Sequence, residues 1–213
     1  MNIRQMLVSS SKYSIKCPYA MSPKYITVHN TANDASANNE ASYHNNNNNE
    51  VSFHYVVDDK EAIQVIPESR NAWHAGDGGS GTGNRYSIGI EICYSKSGGD
   101  RFVQAEKNAA YLTATLLKKY GWGIDRVKKH QDWSGKYCPH RTLDMGWTRF
   151  INMVKAELDK LNKPAQQPTP TSNIYRVIVN GTQIGAYGNV DNIANAVKEQ
   201  VKKGVKTISI EKK

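Results

Sequence analysis

Histidine and cysteine are the residues through which this chain could do chemistry. It holds six histidines and three cysteines, and neutral imidazole and thiolate are ligands that zinc takes readily. Three positions stand out together. His29 ends an alternating stretch and is followed by Asn30 and Thr31, while His130 and Cys138 lie close together in His130-Gln131-Asp132-Trp133-Ser134-Gly135-Lys136-Tyr137-Cys138-Pro139. Two ligands from one loop and a third from a rigid strand can make a three-coordinate site. Its fourth position then stays open for water, as hydrolytic zinc sites require. Spacing of this kind also arises by chance, so spacing alone does not establish a metal site. His44, His54 and His140 stand in no special context and read as ordinary surface or core histidines. Glu91 interrupts a run of isoleucines. A carboxylate there has either a functional partner or a plain salt bridge, and the residues alone favour the salt bridge.

The elements that must position these groups are legible as periodicities. Tyr25-Ile26-Thr27-Val28-His29 is β-branched and alternating, which predicts a strand. Val51 to Val57 and Glu61 to Ile66 flank Asp58-Asp59-Lys60 and read as a hairpin. Tyr86 to Ile92 is the cleanest strand, with its isoleucines on one face and Ser87, Gly89 and Glu91 on the other. Apolar residues at three- and four-residue steps predict helices over Gln104 to Tyr120 and Met145 to Leu161, the second stopped by Pro164. A short helix is expected around Glu40 to His44, with Asn45 to Asn49 a solvated loop after it. The sum is an α/β domain with a mixed central β-sheet flanked by helices.

Three of the seven prolines fall in the stretch from Asn162 to Ser172, which reads as an extended spacer. Residues 1–161 then form the large domain, 162–172 the linker and 173–213 a small α+β domain. In that last piece Ile174 to Val179 and Gln183 to Tyr187 are expected as strands joined at Asn180-Gly181. A helix through Ile193, Ala196, Val197 and Val201 ends at Gly204, and Val205 to Ile210 is a last strand.

Bulk properties narrow the function classes. The formal charge is +9 over 213 residues and the pI about 9.4, which favours polyanionic partners. Nucleic acid and the teichoic acids of a Gram-positive wall both qualify. The cations are scattered singly or in pairs, without a nucleic-acid motif, and a magnesium nuclease would need a carboxylate cluster that is missing. No run reaches the ~20 apolar residues of a membrane span, so no membrane insertion is expected. The first residues lack the apolar core of a secretory signal, which implies synthesis in the cytoplasm. An odd, sparse cysteine count does not make a disulfide framework, so Cys17 and Cys93 are expected to pack as small hydrophobes.

Five motifs in order carry a resemblance: Thr27-Val28-His29-Asn30-Thr31; Phe53-His54-Tyr55-Val56-Val57-Asp58; Trp73-His74-Ala75-Gly76; Ser87-Ile88-Gly89-Ile90-Glu91; and His130-x-Asp132 with Lys136-x-Cys138-Pro139. From about Lys24 to Lys160 the chain resembles the type-2 N-acetylmuramoyl-L-alanine amidases, a family that includes peptidoglycan recognition proteins. Within it, the chain is most similar to endolysins of Bacillus phages and prophages. The resemblance implies zinc (Zn2+) held by His29, His130 and Cys138, and catalytic roles for Glu91 and Lys136. A surface lysine is the plain alternative for Lys136. Substrate contacts are implied for Asn30, Phe53, Trp73 and His74, although Trp73 fits core packing equally well. The implied substrate is bacterial peptidoglycan, with anionic cell-wall polymers as partners of the basic tail, and the implied act is lysis after holin-type release. The chain departs from the pattern at Phe53, where many relatives carry a tyrosine thought to assist at the metal-bound carbonyl. Tyr55 or another group must then substitute, or Glu91 does more of the work. The competing reading is a non-catalytic peptidoglycan-binding module on the same fold. Its members typically lack the cysteine ligand.

Overall fold

The computed structural model describes residues 1–163 and 173–213. The expected linker falls almost wholly on residues 164–172 and lies outside them. The chain divides into two compact units, Met1–Asn162 and Lys163–Lys213.

The first unit is built on six strands and their intervening helices. In chain order they are β1 (Asn2–Gln5), α1 (Tyr13–Lys16), β2 (Tyr25–Asn30), α2 (Ala37–Asn46), β3 (Tyr55–Val57), β4 (Glu61–Gln64), α3 (Thr82–Tyr86), β5 (Ser87–Ile92), α4 (Gly99–Tyr120), β6 (Val127–Lys129), α5 (Gln131–Ser134), α6 (His140–Asp144) and α7 (Trp147–Asn162). The sheet order is β1-β4-β3-β5-β2-β6. Only β3 and β4, the expected hairpin, pair antiparallel; the other neighbours are parallel. The mixed sheet with flanking helices is therefore the architecture.

The alternation in β5 divides the domain into a packing side and a chemical side. Ile88, Ile90 and Ile92 are fully buried and join Phe102, Ala105, Ala109, Leu112 and Leu116 of α4 and Phe150 and Val154 of α7 in one core. Ser87, Gly89 and Glu91 face the other way, in register with Tyr25, Thr27 and His29 of β2. Both strands lie inside the sheet, so neither face is solvated along its length, as parallel strands require.

Two expected boundaries in this unit move, and one strand was not expected at all. Helix α4 begins at Gly99, ahead of Gln104; Gly98 and Gly99 take positive φ and read as a turn, yet Phe102 just after them is 1% exposed. The asparagine run is not all loop: Asn45 and Asn46 finish α2, and Asn45 Nδ2 donates to the Met6 carbonyl at 2.7 Å. Tertiary hydrogen bonds thus hold residues with low helix propensity in a helix. Strand β1 has no apolar pattern; it is an edge strand fixed by Arg4, whose Nε donates to Glu61 Oε2 at 2.6 Å.

The second unit contains β7 (Tyr175–Val179), β8 (Thr182–Tyr187), α8 (Val190–Lys202) and β9 (Ile208–Lys212). Its sheet order is β8-β7-β9, all antiparallel. Asn180 and Gly181 both take positive φ, the conformation a two-residue hairpin turn of this twist requires. Val177 and Ile193 form its small core. The last strand starts at Ile208 and not at Val205. Val205 N–H instead returns to the Gln200 carbonyl at the helix end.

Candidate metal centre

The strand β2 delivers His29 to the chemical side of the sheet, and the segment before and after α5 brings His130 and Cys138 to meet it. The ligand atoms of these three buried residues lie within 4.8 Å of one another. His29 Nδ1 is 3.0 Å from His130 Nδ1 and 3.8 Å from Cys138 Sγ.

A relay of hydrogen bonds fixes which nitrogen of His29 carries the proton. The Ser87 carbonyl can only accept, so His74 Nε2, 3.1 Å away, must donate. His74 Nδ1 is then an acceptor for His29 Nε2–H at 2.9 Å. His29 Nδ1 keeps a free lone pair, aimed at the cluster, which is the state a metal ligand needs. Burial, then His74, His130 and Lys136, holds the His29 pKa well below its usual value. Burial, then Lys136, lowers that of His130, against Asp77 and the Ala75 carbonyl. Both rings are thus neutral donors at physiological pH. Burial and Glu91 push the Cys138 thiol up to about 11, against the Asn30 backbone N–H and Lys136. Two neutral imidazoles and one thiol converging on one point suit zinc, and thiolate formation would accompany binding.

Glu91 lies beside this cluster, across from His29 in the β5–β2 register. Its Oε2 is buried and lacks a hydrogen-bond partner, and no ion pair to it occurs among the described residues. The salt bridge that the residues alone favoured is therefore not made. Burial first, then Glu40, raises its pKa to about 8, against Lys136. Lys136 is exposed and shares with Glu91 the walls of two adjoining cavities.

The four expected substrate contacts divide. Phe53 and Trp73 line cavities of the groove. Trp73 is half-buried: its Nε1 donates to the Ile15 carbonyl at 3.0 Å, and the residue also lines the groove. Asn30 and His74 reach the cavity wall, but their polar atoms are engaged within the protein. Asn30 Oδ1 accepts from the backbone N–H of Arg141 at 2.9 Å and of Thr142 at 3.2 Å, which ties β2 to the segment following Cys138. His74 backs His29. Tyr55 is no stand-in for the absent tyrosine, because its hydroxyl donates to Glu68 Oε1 at 2.6 Å. Cys17 and Cys93 are buried free thiols.

Sequence reasoning passed over three contributors. His54 looked ordinary, yet its Nδ1 accepts from Gly89 N–H at 3.0 Å, and its ring stands against His74. Gly76 lies between His74 and the His130 segment with φ +69°, a conformation that favours glycine, and a Cβ there would press on Ser134 Oγ at 3.1 Å. Glu40 was masked by the asparagines around it.

Residues 19–141 match the family model described as N-acetylmuramoyl-L-alanine amidase. The chain is 64% identical over 156 residues to the N-acetylmuramoyl-L-alanine amidase CwlA of Bacillus subtilis (strain 168), covering 73% of this chain and 57% of that protein. It is 60% identical to the amidase XlyB of the same organism, over 74% of this chain and 50% of XlyB. The chain thus spans about half the length of these curated relatives. A solved structure of PlyL, 61% identical, superposes with a TM-score of 0.72 over 74% of this chain and 99% of that one.

Proposed function

The chain belongs to the N-acetylmuramoyl-L-alanine amidase family, and we propose that it is a zinc-dependent hydrolase cutting the amide bond between N-acetylmuramic acid and L-alanine in peptidoglycan. The observation that carries this reading is the convergence of His29 Nδ1, His130 Nδ1 and Cys138 Sγ beside a buried carboxylate oxygen without a partner.

Zinc, held by those three side chains, would supply a Lewis acid that activates water near neutral pH. The chain's own residues do the rest. Glu91 accepts the proton of the attacking water and delivers it to the L-alanine nitrogen as the C–N bond breaks. Its raised proton affinity suits it to hold that proton between the two events. The Lys136 ammonium donates a hydrogen bond to the carbonyl oxygen as negative charge develops there. Phe53 and Trp73 offer aromatic surface to the substrate, while His74 and Asn30 hold His29 and the Cys138 segment in place. Residues 1–161 are the catalytic domain in this reading, and 162–172 the linker. Residues 173–213 form a wall-binding domain whose basic side chains meet anionic polymers. The biological act is lysis of a bacterial host from within, supported by similarity to the endolysin PlyTW of Staphylococcus phage Twort, 31% identical over 116 residues.

Mass spectrometry of Bacillus-type peptidoglycan after digestion, with and without a zinc chelator, tests the reading. New L-alanine amino termini on intact glycan strands, both lost on chelation, are expected. New reducing ends would instead mean a glycosidase, and binding without cleavage would mean a recognition module.

A further inference from the structure

The metal centre sits in the middle of a groove. Its own cavity, of about 330 Å³, shares Asn30, Val51, Glu91 and Lys136 with a neighbour of about 240 Å³. On the other side it shares Trp73 and Gly76 with one of about 520 Å³. An amide cut at the centre must send its acyl side along one arm and its amine side along the other. On the amidase reading, these are the glycan and the stem peptide.

The smaller arm has a charged wall. Glu40, Tyr43 and His44 line it, an i, i+3, i+4 set on one face of α2, with Asn47 just past the helix end beside them. Glu40 is held in place. Asn33 Nδ2 donates to its Oε1 at 2.6 Å, Ser36 caps the helix through Asn39 N–H, and Ala37 N–H is bound by Asp58 Oδ2. Among the described residues Oε2 takes no hydrogen bond, and no cation, Lys136 included, lies within ion-pair distance of Glu40. Its charge instead adds to the proton affinity of Glu91. A fixed carboxylate, unpaired and facing a groove, is a receptor for a cation.

We propose that Glu40 is a specificity-determining residue that receives the side-chain ammonium of the stem peptide's diamino acid. The inference rests on the amidase reading and deepens it. The glycan carries hydroxyls and N-acetyl groups but no cation, so the diamino acid supplies the complementary charge. The stem then runs along α2 and the sugars lie toward Trp73. Glu50, the carboxylate of the larger arm, is exposed and bonds to no side chain among the described residues, which makes it the natural control.

The test uses two soluble muramoyl stem peptides, one with its side-chain amine free and one with it acetylated. The full chain is expected to prefer the free amine by about tenfold in kcat/KM, the effect of one charge-assisted hydrogen bond. In Glu40→Gln that preference collapses toward one, mainly through KM of the amine substrate, whereas Glu50→Gln keeps it. Glutamine still accepts from Asn33, so α2 stays in place. Any change in Glu91 ionisation affects both substrates alike and cancels in the ratio. A ratio near one in the unaltered chain overturns the proposal. So does a preference that survives Glu40→Gln, or one that follows Glu50. If neither peptide is cut between muramic acid and L-alanine, the amidase reading itself fails and the proposal falls with it.

Discussion

At the scale of single residues, Glu91 is the group whose removal separates chemistry from structure. It touches no ion-pair partner, so Glu91→Ala should leave zinc content unchanged while turnover falls by about two to four orders of magnitude. Release of L-alanine amino termini and metal analysis of the same sample check this together. Near-normal turnover would remove Glu91 from the proton path. Its raised pKa makes a second prediction, for the metal-free protein. From its ordinary value of 4.5 up to about 8, the unfolded carboxyl ionises while the folded one keeps its proton. The stability linked to this group is therefore full below the lower value and is lost as pH rises through the window. Glu91→Gln has no such loss. Its stability advantage over the unaltered apo-protein should grow between pH 5 and pH 8, by roughly 1–4 kcal/mol, measured as denaturant midpoints at each pH. A constant difference across that range would mean that the carboxyl is not buried as described. His29, His130 and Cys138 stood out in the sequence as residue types that zinc takes, but only the family resemblance joined them into one site; the fold brings their ligand atoms within 4.8 Å of one another. The work of Asn30 and His74 was not legible, because an asparagine or histidine that holds another residue leaves no mark in its own neighbourhood.

The element that sets the geometry is β5, and its tightest point is Gly89. A Cβ there would stand 2.8 Å from His74 Cγ, and His74 is the ring that fixes the proton on His29. Gly89→Ala must push His74 back. Stability should drop by about 1–3 kcal/mol, and zinc affinity by about 10–100-fold through the lost support of a ligand. Competition with a chromophoric chelator and urea unfolding read the two effects. A stability loss with full zinc affinity would show that the His74 hydrogen bond does not orient His29. On the packing side, Arg149 of α7 donates to Glu106 Oε2 of α4 at 2.6 Å, and Glu106 is fully buried. Arg149→Ala strands that charge and should cost about 3 kcal/mol; adding Glu106→Gln should return part of it, in contrast to the additivity of unconnected sites. Period-2 and helical periodicities made the central strands and long helices readable, because burial imposes those patterns. Strand β1 and the one-turn helices α1, α3, α5 and α6 were not readable. Their positions depend on contacts such as Arg4 with Glu61 and Lys16 with Asn47, which join residues far apart in the chain.

For the whole molecule, the division into two compact units predicts that cutting and holding can be separated. The first unit contains every residue of the proposed metal centre. The second, residues 173–213, has seven basic against three acidic side chains around a core as small as Val177 and Ile193. Its exposed cations include Lys198, Lys202, Lys203 and Lys206 on α8 and just beyond it. Attraction between such a surface and an anionic polymer is long-ranged at low salt and screened over about 8–10 Å near physiological ionic strength. A chain ending at residue 162 should therefore keep its kcat/KM on a soluble muramoyl peptide. On intact walls it should lose retention and most of its lytic rate at low enzyme concentration, since tethering raises the local concentration of the catalytic unit. Retention of the full chain should weaken steeply as salt rises, while cleavage of the soluble peptide should not. Sedimentation of the protein with purified walls across a salt series, beside the peptide assay, measures both. Equal retention of the full and shortened chains would place wall binding in the catalytic unit, and salt-independent retention would mean that uncharged contacts hold the wall.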